Sequence, residues 1–147
     1  MTDISAELLN DLEDEDFRHD YAGEFLDMIL ARQIRALRKE RGWTQAELAK
    51  RVGTSQPFIS AIESEDYGSL SISTLRDLAR VFDVYLNVRF DSFATLVSQV
   101  ESSSSAELSV PVFANDPAIP AMVRRPKVAA ASRLGGEVRG PRRKSQG

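Results

Sequence analysis

Hydrophobic positions between residues 21 and 41 recur at intervals of three and four, the spacing that places side chains on one face of an α-helix. The apolar stripe is formed by Phe25, Met28, Ile29, Ile34 and Leu37. Basic residues and then a glycine follow at residues 38–42, a composition typical of a helix C-terminus. The pattern therefore predicts one long helix over residues 21–41.

Two short helices are predicted next, in "TQAELAKRVGTSQPFISAIE". Thr44 and Glu47 have the spacing of a capping box, which starts a helix. Gly53 supplies the left-handed residue that ends this helix, and Thr54 or Ser55 caps the following one. Two helices of about eight residues joined by so short a turn predict helix-turn-helix geometry, in which the second helix enters the DNA major groove.

A further helix is predicted to begin at Ser71, and after it the spacing of the apolar residues changes from helical to alternating. In "VYLNVRF", residues 84–90, apolar side chains alternate with polar or aromatic ones, which predicts a β-strand. A short helix is expected to follow, up to residue 100. Because a lone strand leaves its backbone groups unpaired, we hypothesise that residues 84–90 pair with their copy in a second subunit.

Charge is unevenly distributed along the 147 residues. Residues 1–27 carry ten acids and one base, whereas residues 28–63 carry three acids and seven bases. Residues 101–147 carry eight bases, four acids and five of the six prolines. The formal net charge of −3 is therefore a poor guide to binding, because the local field decides which partner is attracted.

The composition points away from an enzyme. There are no cysteines, and the single histidine, His19, lies in the acidic N-terminal segment. No phosphate-binding glycine loop, nucleophile motif or metal-ligand spacing occurs, so neither a cofactor nor a metal is expected. No apolar run has the length of a membrane span, and a cytoplasmic protein is expected.

The sequence "TQAELAKRVGTSQPFISAIE", with "IRALRKERGW" before it and "LSISTLRDLARVFDV" after it, resembles the Cro/phage-repressor (XRE) helix-turn-helix family. The resemblance implies an all-α, lambda-repressor-like domain of four to five helices. With the patterns above it predicts an acidic arm at 1–20 and the DNA-binding domain at 21–83. A strand and short helix at 84–100 would serve as a dimerisation element, and a mostly disordered basic tail would occupy 101–147.

The resemblance also assigns roles to single residues. Gln45 matches a glutamine that holds a DNA phosphate, and Gln56 matches the first base-reading position. Arg38 and Glu63 match a partly buried ion pair between the first helix and the end of the reading helix. The remaining DNA-binding candidates are cap, reading-helix and basic residues: Thr44, Thr54, Ser55, Phe58, Ser60, Lys50, Arg51 and Arg35. Arg41 is a further candidate phosphate contact.

Pro57 and Phe58 occupy positions at which some phage repressors have polar readers. Phe58 is open to two interpretations: a half-buried aromatic packed on a neighbouring helix, or an apolar contact to thymine methyl groups. Pro57 is compatible with the first turn of a helix, where a missing N–H costs nothing.

The expected function is sequence-specific DNA binding that regulates transcription, most simply by repression as a homodimer on an inverted repeat. Two alternatives remain. The protein would be an antitoxin if its acidic arm bound a toxin and its helix-turn-helix repressed their operon. It would be a protein-interaction domain if it had lost base reading, although the presence of both Gln45 and Gln56 argues against this.

Overall fold

A computed structural model describes residues 3–102 and 108–123 of the chain. The helices in these residues are α1 (Asp3–Asp11), α2 (Glu15–Glu40), α3 (Gln45–Val52), α4 (Gln56–Ile62), α5 (Ile72–Phe82), α6 (Phe93–Ser102) and α7 (Ala118–Val123), with a 3-10 turn at Phe113–Asn115. The chain divides into two compact units, Met1–Asp116 and Pro117–Gly147. Over the described ranges, every helix is too short or too polar to cross a membrane.

Helix α2 begins earlier than the sequence pattern predicts. Asp14 caps it by accepting a hydrogen bond from the Phe17 amide at 2.8 Å, and Glu15 and Asp16 in the first turn complement the helix dipole. The expected boundary between the arm and the domain, at residues 20 and 21, therefore falls inside one continuous helix. Acidic residues next to a good cap start the helix here, and the apolar stripe continues it.

Helices α3 and α4 are joined by a glycine turn. Both hydrogen bonds of the capping box between Thr44 and Glu47 are present. Gly53 ends α3 with a φ of 82°, in the left-handed region that costs a residue with a side chain about 1–2 kcal/mol. Ser55 then caps α4 by accepting from the Phe58 amide at 3.3 Å, and Pro57 lies in the first turn.

One hydrophobic core holds α2, α3, α4 and α5 together. Its buried members are Ile34, Leu37, Leu48, Ala49, Ile59, Ile62, Leu78 and Phe82. Leu48 and Ile59 are completely inaccessible to solvent. Helix α3 packs on both α4 and α5, so the orientation of α4 is fixed by apolar side chains on three neighbouring helices.

A second, smaller cluster connects the two ends of the first unit. Leu8 of α1 and Leu12, which directly follows that helix, pack against Val97 of α6, and each of the three is 8% exposed. The partly buried side chains around them are Tyr21, Phe93 and Val100. Leu8 and Leu12 of the acidic arm are therefore packed within the chain, while the acidic side chains at residues 7–20 are exposed.

The prediction of a β-strand at residues 84–90 is wrong for the described structure, which contains no strand. A strand is defined by backbone pairing, and no backbone ladder to this segment forms among the described residues. The Val84 amide instead donates to the Ala79 carbonyl at 3.0 Å, which caps the end of α5. Val84 and Leu86 are half-buried, whereas Val88 and Phe90 are exposed.

One residue after α6 also contacts the main hydrophobic core. Val110, in the apolar stretch "LSVPVF", packs against its buried residues. The tail predicted to be mostly disordered, residues 101–147, contains the 3-10 turn and α7 in its described part, and its residues 103–107 and 124–147 lie outside the described residues.

Candidate nucleic-acid interface

Two glutamine side chains lie together at the beginnings of α3 and α4. The Gln56 amide nitrogen donates to the Gln45 side-chain oxygen at 2.9 Å. Gln56 is exposed and is the first residue of α4, while Gln45 is half-buried and is the first residue of α3. The fold therefore presents the two candidate DNA-binding glutamines as one connected pair.

A buried ion pair supports this glutamine pair. Arg38 of α2 donates to both carboxylate oxygens of Glu63, from Nε at 2.6 Å and from Nη2 at 3.0 Å. The two side chains are 11% and 4% exposed, and Arg38 Nη1 also donates to the Trp43 carbonyl at 2.8 Å. Hydrogen bonding to Glu63 raises the pKa of Arg38, outweighing the opposite effect of burial. Because both charges are removed from water, loss of one partner would leave an uncompensated buried charge.

The ion pair and the glutamines form one chain of hydrogen bonds. Glu63 Oε2 accepts from the Gln45 amide nitrogen at 3.1 Å in addition to its bond from Arg38. The order is therefore Arg38, Glu63, Gln45 and Gln56, which connects the end of α2 to the exposed start of α4. Sequence spacing does not reveal the contact between Glu63 and Gln45, because eighteen residues separate them.

The exposed face of α4 carries few polar side chains. Gln56, Pro57 and Ser60 are exposed, and Ser60 lies one helical turn beyond Gln56. Phe58 is half-buried against the core, and its ring packs edge-to-face on Tyr67 with centroids 6.2 Å apart. These contacts hold the Phe58 ring at the side of the reading helix and support its interpretation as a packing residue.

The hydroxyl candidates have local structural partners. Thr44 accepts from the Glu47 amide at 3.1 Å, and Ser55 caps α4. Thr54 is half-buried in the turn, where its amide donates to the Ala49 carbonyl at 2.9 Å. Because a hydroxyl that accepts a capping bond keeps its own hydrogen, Thr44 and Ser55 retain the ability to donate to a phosphate.

The basic residues of α2 and α3 occupy different environments. Arg35, Lys39 and Lys50 are exposed and form no ion pair with the described residues. The Arg51 guanidinium lies 4.2 Å from the centroid of the Trp43 ring, an arrangement that retains its charge. Arg32 is paired with Glu65 at 2.7 Å. The exposed cations available to phosphates are thus fewer than the sequence count of this segment suggests.

Arg41 lies against Phe82 of the hydrophobic core and is poorly placed for a phosphate contact. Its side chain is 10% exposed, and Nη2 donates to the Phe82 carbonyl at 2.6 Å while Nη1 donates to Leu37. Burial lowers the pKa of Arg41, and its Nε has no hydrogen-bond partner among the described residues. Arg41 is seven residues from Ile34 and four from Leu37, so the apolar stripe itself signals the burial.

The described residues contain no candidate metal-binding cluster. Histidine and acidic side chains there form no group of three or more that would hold a metal ion. His19 contacts the Phe93 ring edge-to-face, with ring centroids 5.7 Å apart.

Comparisons with known proteins support a helix-turn-helix assignment. Residues 34–88 match the model of a helix-turn-helix family. The HTH-type transcriptional regulator SinR of Bacillus subtilis (strain 168) is 30% identical over 63 residues, which are 43% of this chain and 57% of SinR. The chain thus spans a little over half the length of that relative, and no solved structure gives a significant match. The similarity over residues 34–88 supports the resemblance to the Cro/phage-repressor (XRE) type of helix-turn-helix proteins.

Proposed function

We propose that this protein binds double-stranded DNA in a sequence-specific manner and regulates transcription. The observation that carries the proposal is the hydrogen-bonded pair of Gln45 and Gln56 at the beginnings of α3 and α4. In a helix-turn-helix, the start of the second helix meets the base edges in the major groove. A glutamine there can bind adenine through two hydrogen bonds, while a neighbouring amide holds a phosphate.

The exposed positions around the pair favour a small reading surface with electrostatic support. Ser60 adds a polar group one turn beyond Gln56, and Thr44 and Ser55 supply hydroxyl donors. Arg35, Lys50 and Arg51 supply positive charge, which provides most sequence-independent affinity. We propose that the protein acts in the cytoplasm. We also propose that its DNA binding requires no cofactor.

We further propose that the regulator is a repressor that binds an inverted repeat as a homodimer. Its dimerisation element would be residues 84–90. Tyr85, Val88 and Phe90 are 86%, 62% and 106% exposed, an unusual concentration of large apolar side chains on a surface. Two reading helices related by a two-fold axis would meet DNA about 34 Å apart, one helical turn.

A competition experiment tests the proposal. Sequences bound by the full chain would first be selected from a random DNA pool, and the affinity for the selected site would then be compared with that for random DNA. We expect Gln56→Ala to reduce the discrimination by about 1–3 kcal/mol, the value of one good base contact. Gln99→Ala, at an exposed glutamine on α6, is the matched control and should leave discrimination unchanged. Selection of no common sequence by the unmodified protein would refute specific reading.

The antitoxin alternative has one observation in its favour. The acidic side chains of α1 and of the first half of α2 are mostly exposed, including Asp11, Asp16 and Glu24, and form a surface suited to a basic protein. In that case a toxin encoded beside this gene would co-purify with the chain, and charge reversal at these positions would release it. A neighbouring gene with no toxin-sized product would count against this function.

A further inference from the structure

We propose that Glu63 is a positioning residue that fixes the orientation of the Gln56 amide, and thereby selects adenine at the base that Gln56 contacts. The inference rests on the proposed DNA-reading function. It adds a residue that does not itself reach the DNA surface, since the Glu63 side chain is 4% exposed. The reason lies in the direction of each hydrogen bond in the chain from Arg38 to Gln56.

The first step is the carboxylate, which can only accept hydrogen bonds. Both Glu63 oxygens accept from Arg38, and Oε2 also accepts at 3.1 Å from Gln45. A Gln45 side chain turned by 180° would place its oxygen against the carboxylate, where neither group has a hydrogen to donate. The charge of Glu63 therefore requires the nitrogen of Gln45 to face it.

The second step passes this direction to the reading residue. With the Gln45 nitrogen directed to Glu63, the Gln45 oxygen faces Gln56 and must receive a hydrogen. Gln56 supplies it from its amide nitrogen, at 2.9 Å. The Gln56 amide is consequently held in one of its two orientations, although both fit the same space equally well.

The third step concerns the hydrogen-bonding groups of Gln56 that remain available to a base. Its nitrogen has one unused N–H, and its oxygen has no partner among the described residues. One donor and one acceptor match adenine, which offers N7 as acceptor and its N6 amino group as donor. In the opposite orientation Gln56 would offer two N–H groups, which match the two acceptors of guanine, N7 and O6. The carboxylate of Glu63 thus favours adenine over guanine.

Replacement of Glu63 by glutamine removes this requirement, because an amide can either donate to or accept from Gln45. In the full-length Glu63→Gln variant, we expect adenine-over-guanine discrimination at the Gln56 position to fall. The wild-type preference for adenine should be on the order of 10-fold to 100-fold, the range of one bidentate contact. The variant should lose most of it, with guanine gaining relative affinity.

The experiment compares base preferences from a random DNA pool, followed by affinities for sites that carry adenine or guanine at one position. Gln56→Ala identifies that position as the one where preference disappears. Glu65→Gln is the matched control, since Glu65 is two residues away and pairs with Arg32 outside this hydrogen-bond chain. It should leave the adenine preference unchanged. Circular dichroism would establish that each variant is folded before its base preference is interpreted.

A second variant covers the case in which Glu63→Gln does not fold. Gln45→Ala keeps the buried ion pair but removes the connection to Gln56, so the folded variant should also lose adenine-over-guanine discrimination. If either variant folds and retains the wild-type preference at that position, the positioning role is overturned while sequence-specific binding stands. If the wild-type chain selects no sequence, the proposed function fails instead.

Discussion

Arg35 and Arg41 lie six residues apart in sequence and have different roles in the structure. Arg35 is exposed on α2, whereas Arg41 donates to the carbonyls of Phe82 and Leu37 and lies 5.2 Å from the centroid of the Phe82 ring. A charged donor to a buried carbonyl contributes more than a neutral one, since both groups are shielded from water. Formal charge alone does not distinguish these two residues.

Separate effects are therefore expected from removing the two arginines. Arg41→Ala should lower the free energy of unfolding by about 1–3 kcal/mol, because it leaves the Phe82 carbonyl without its donor. Arg35→Ala should change stability by less than about 0.5 kcal/mol. It should weaken DNA binding and reduce the salt dependence of the affinity by about one ion. Urea unfolding measures the change in stability, and DNA-binding titrations at several salt concentrations measure the salt dependence of the affinity. A reduced salt dependence in Arg41→Ala would contradict a purely structural role for Arg41.

The two interpretations of Phe58 can be distinguished by mutation, because only one of them requires a contact with DNA. Packing on Tyr67 and the core predicts that Phe58→Ala lowers the free energy of unfolding by about 1–3 kcal/mol, less than a fully buried phenylalanine would. Replacement of thymine by uracil in the selected site removes only the methyl group. We expect this replacement to change the DNA affinity of the wild-type chain by less than about threefold. A larger loss of affinity in the wild type that is absent in Phe58→Ala would establish a contact between Phe58 and the thymine methyl group.

At the scale of elements, two clusters divide the first unit unequally. The main core joins α2 to α5 and contains eight buried residues, whereas the smaller cluster formed by Leu8, Leu12 and Val97 contains three. Local opening is governed by how much apolar surface an element buries. Helices α1 and α6 should therefore open more readily than the helix-turn-helix.

The double variant Leu8→Ala and Leu12→Ala tests this division. Loss of both leucines should remove the amide protection of residues 3–12 and 93–102, because each truncation at a buried position costs about 2–5 kcal/mol. Hydrogen exchange would show α2 to α5 still protected. Leu9→Ala is the matched control, since Leu9 is 44% exposed on the same helix. Simultaneous loss of protection in α3 and α4 would mean that the two clusters form one cooperative unit.

At the scale of the whole molecule, we propose that residues 84–90 form the dimer interface by pairing with their own copy. In an antiparallel pair centred on Asn87, Val84 would lie opposite the second copy's Phe90 and Leu86 opposite its Val88. On the other face Tyr85 would lie opposite Arg89, a combination of aromatic ring and cation that is favourable. Tyr85 and Phe90 from both copies would bury roughly 600–1,000 Å², which with Val88 and the backbone approaches the area of a specific interface.

Introduction of charge into this segment is expected to separate the subunits. Val88→Lys with Phe90→Lys should shift sedimentation at micromolar concentration from dimer to monomer, without loss of helical content, because both side chains are exposed in the single chain. Binding to an inverted repeat should weaken by more than tenfold, while binding to one half-site should not. Leu9→Lys, at another exposed leucine, controls for added charge. A wild-type chain that is monomeric at all concentrations would exclude this interface.

Local sequence determined most of the helical elements. Thr44 with Glu47, Gly53 and Ser71 act within three or four residues of the backbone that they cap or terminate, so their effects are readable from spacing. The apolar stripe of α2 and the cap of α4 are local in the same sense. The start of α2 at Glu15 was missed, because a run of acidic residues is compatible with either a solvated arm or a helix N-terminus.

Only the tertiary structure decided which distant groups meet. The bond from Gln45 to Glu63 and the burial of Arg41 under Phe82 join residues 18 and 41 positions apart, and packing among four helices sets both. The alternating pattern at residues 84–90 did not produce a strand, because strand structure requires a pairing partner. The sequence by itself thus determined the helix-turn-helix and its candidate readers, whereas long-range packing determined which polar groups orient the readers and which are confined to the core.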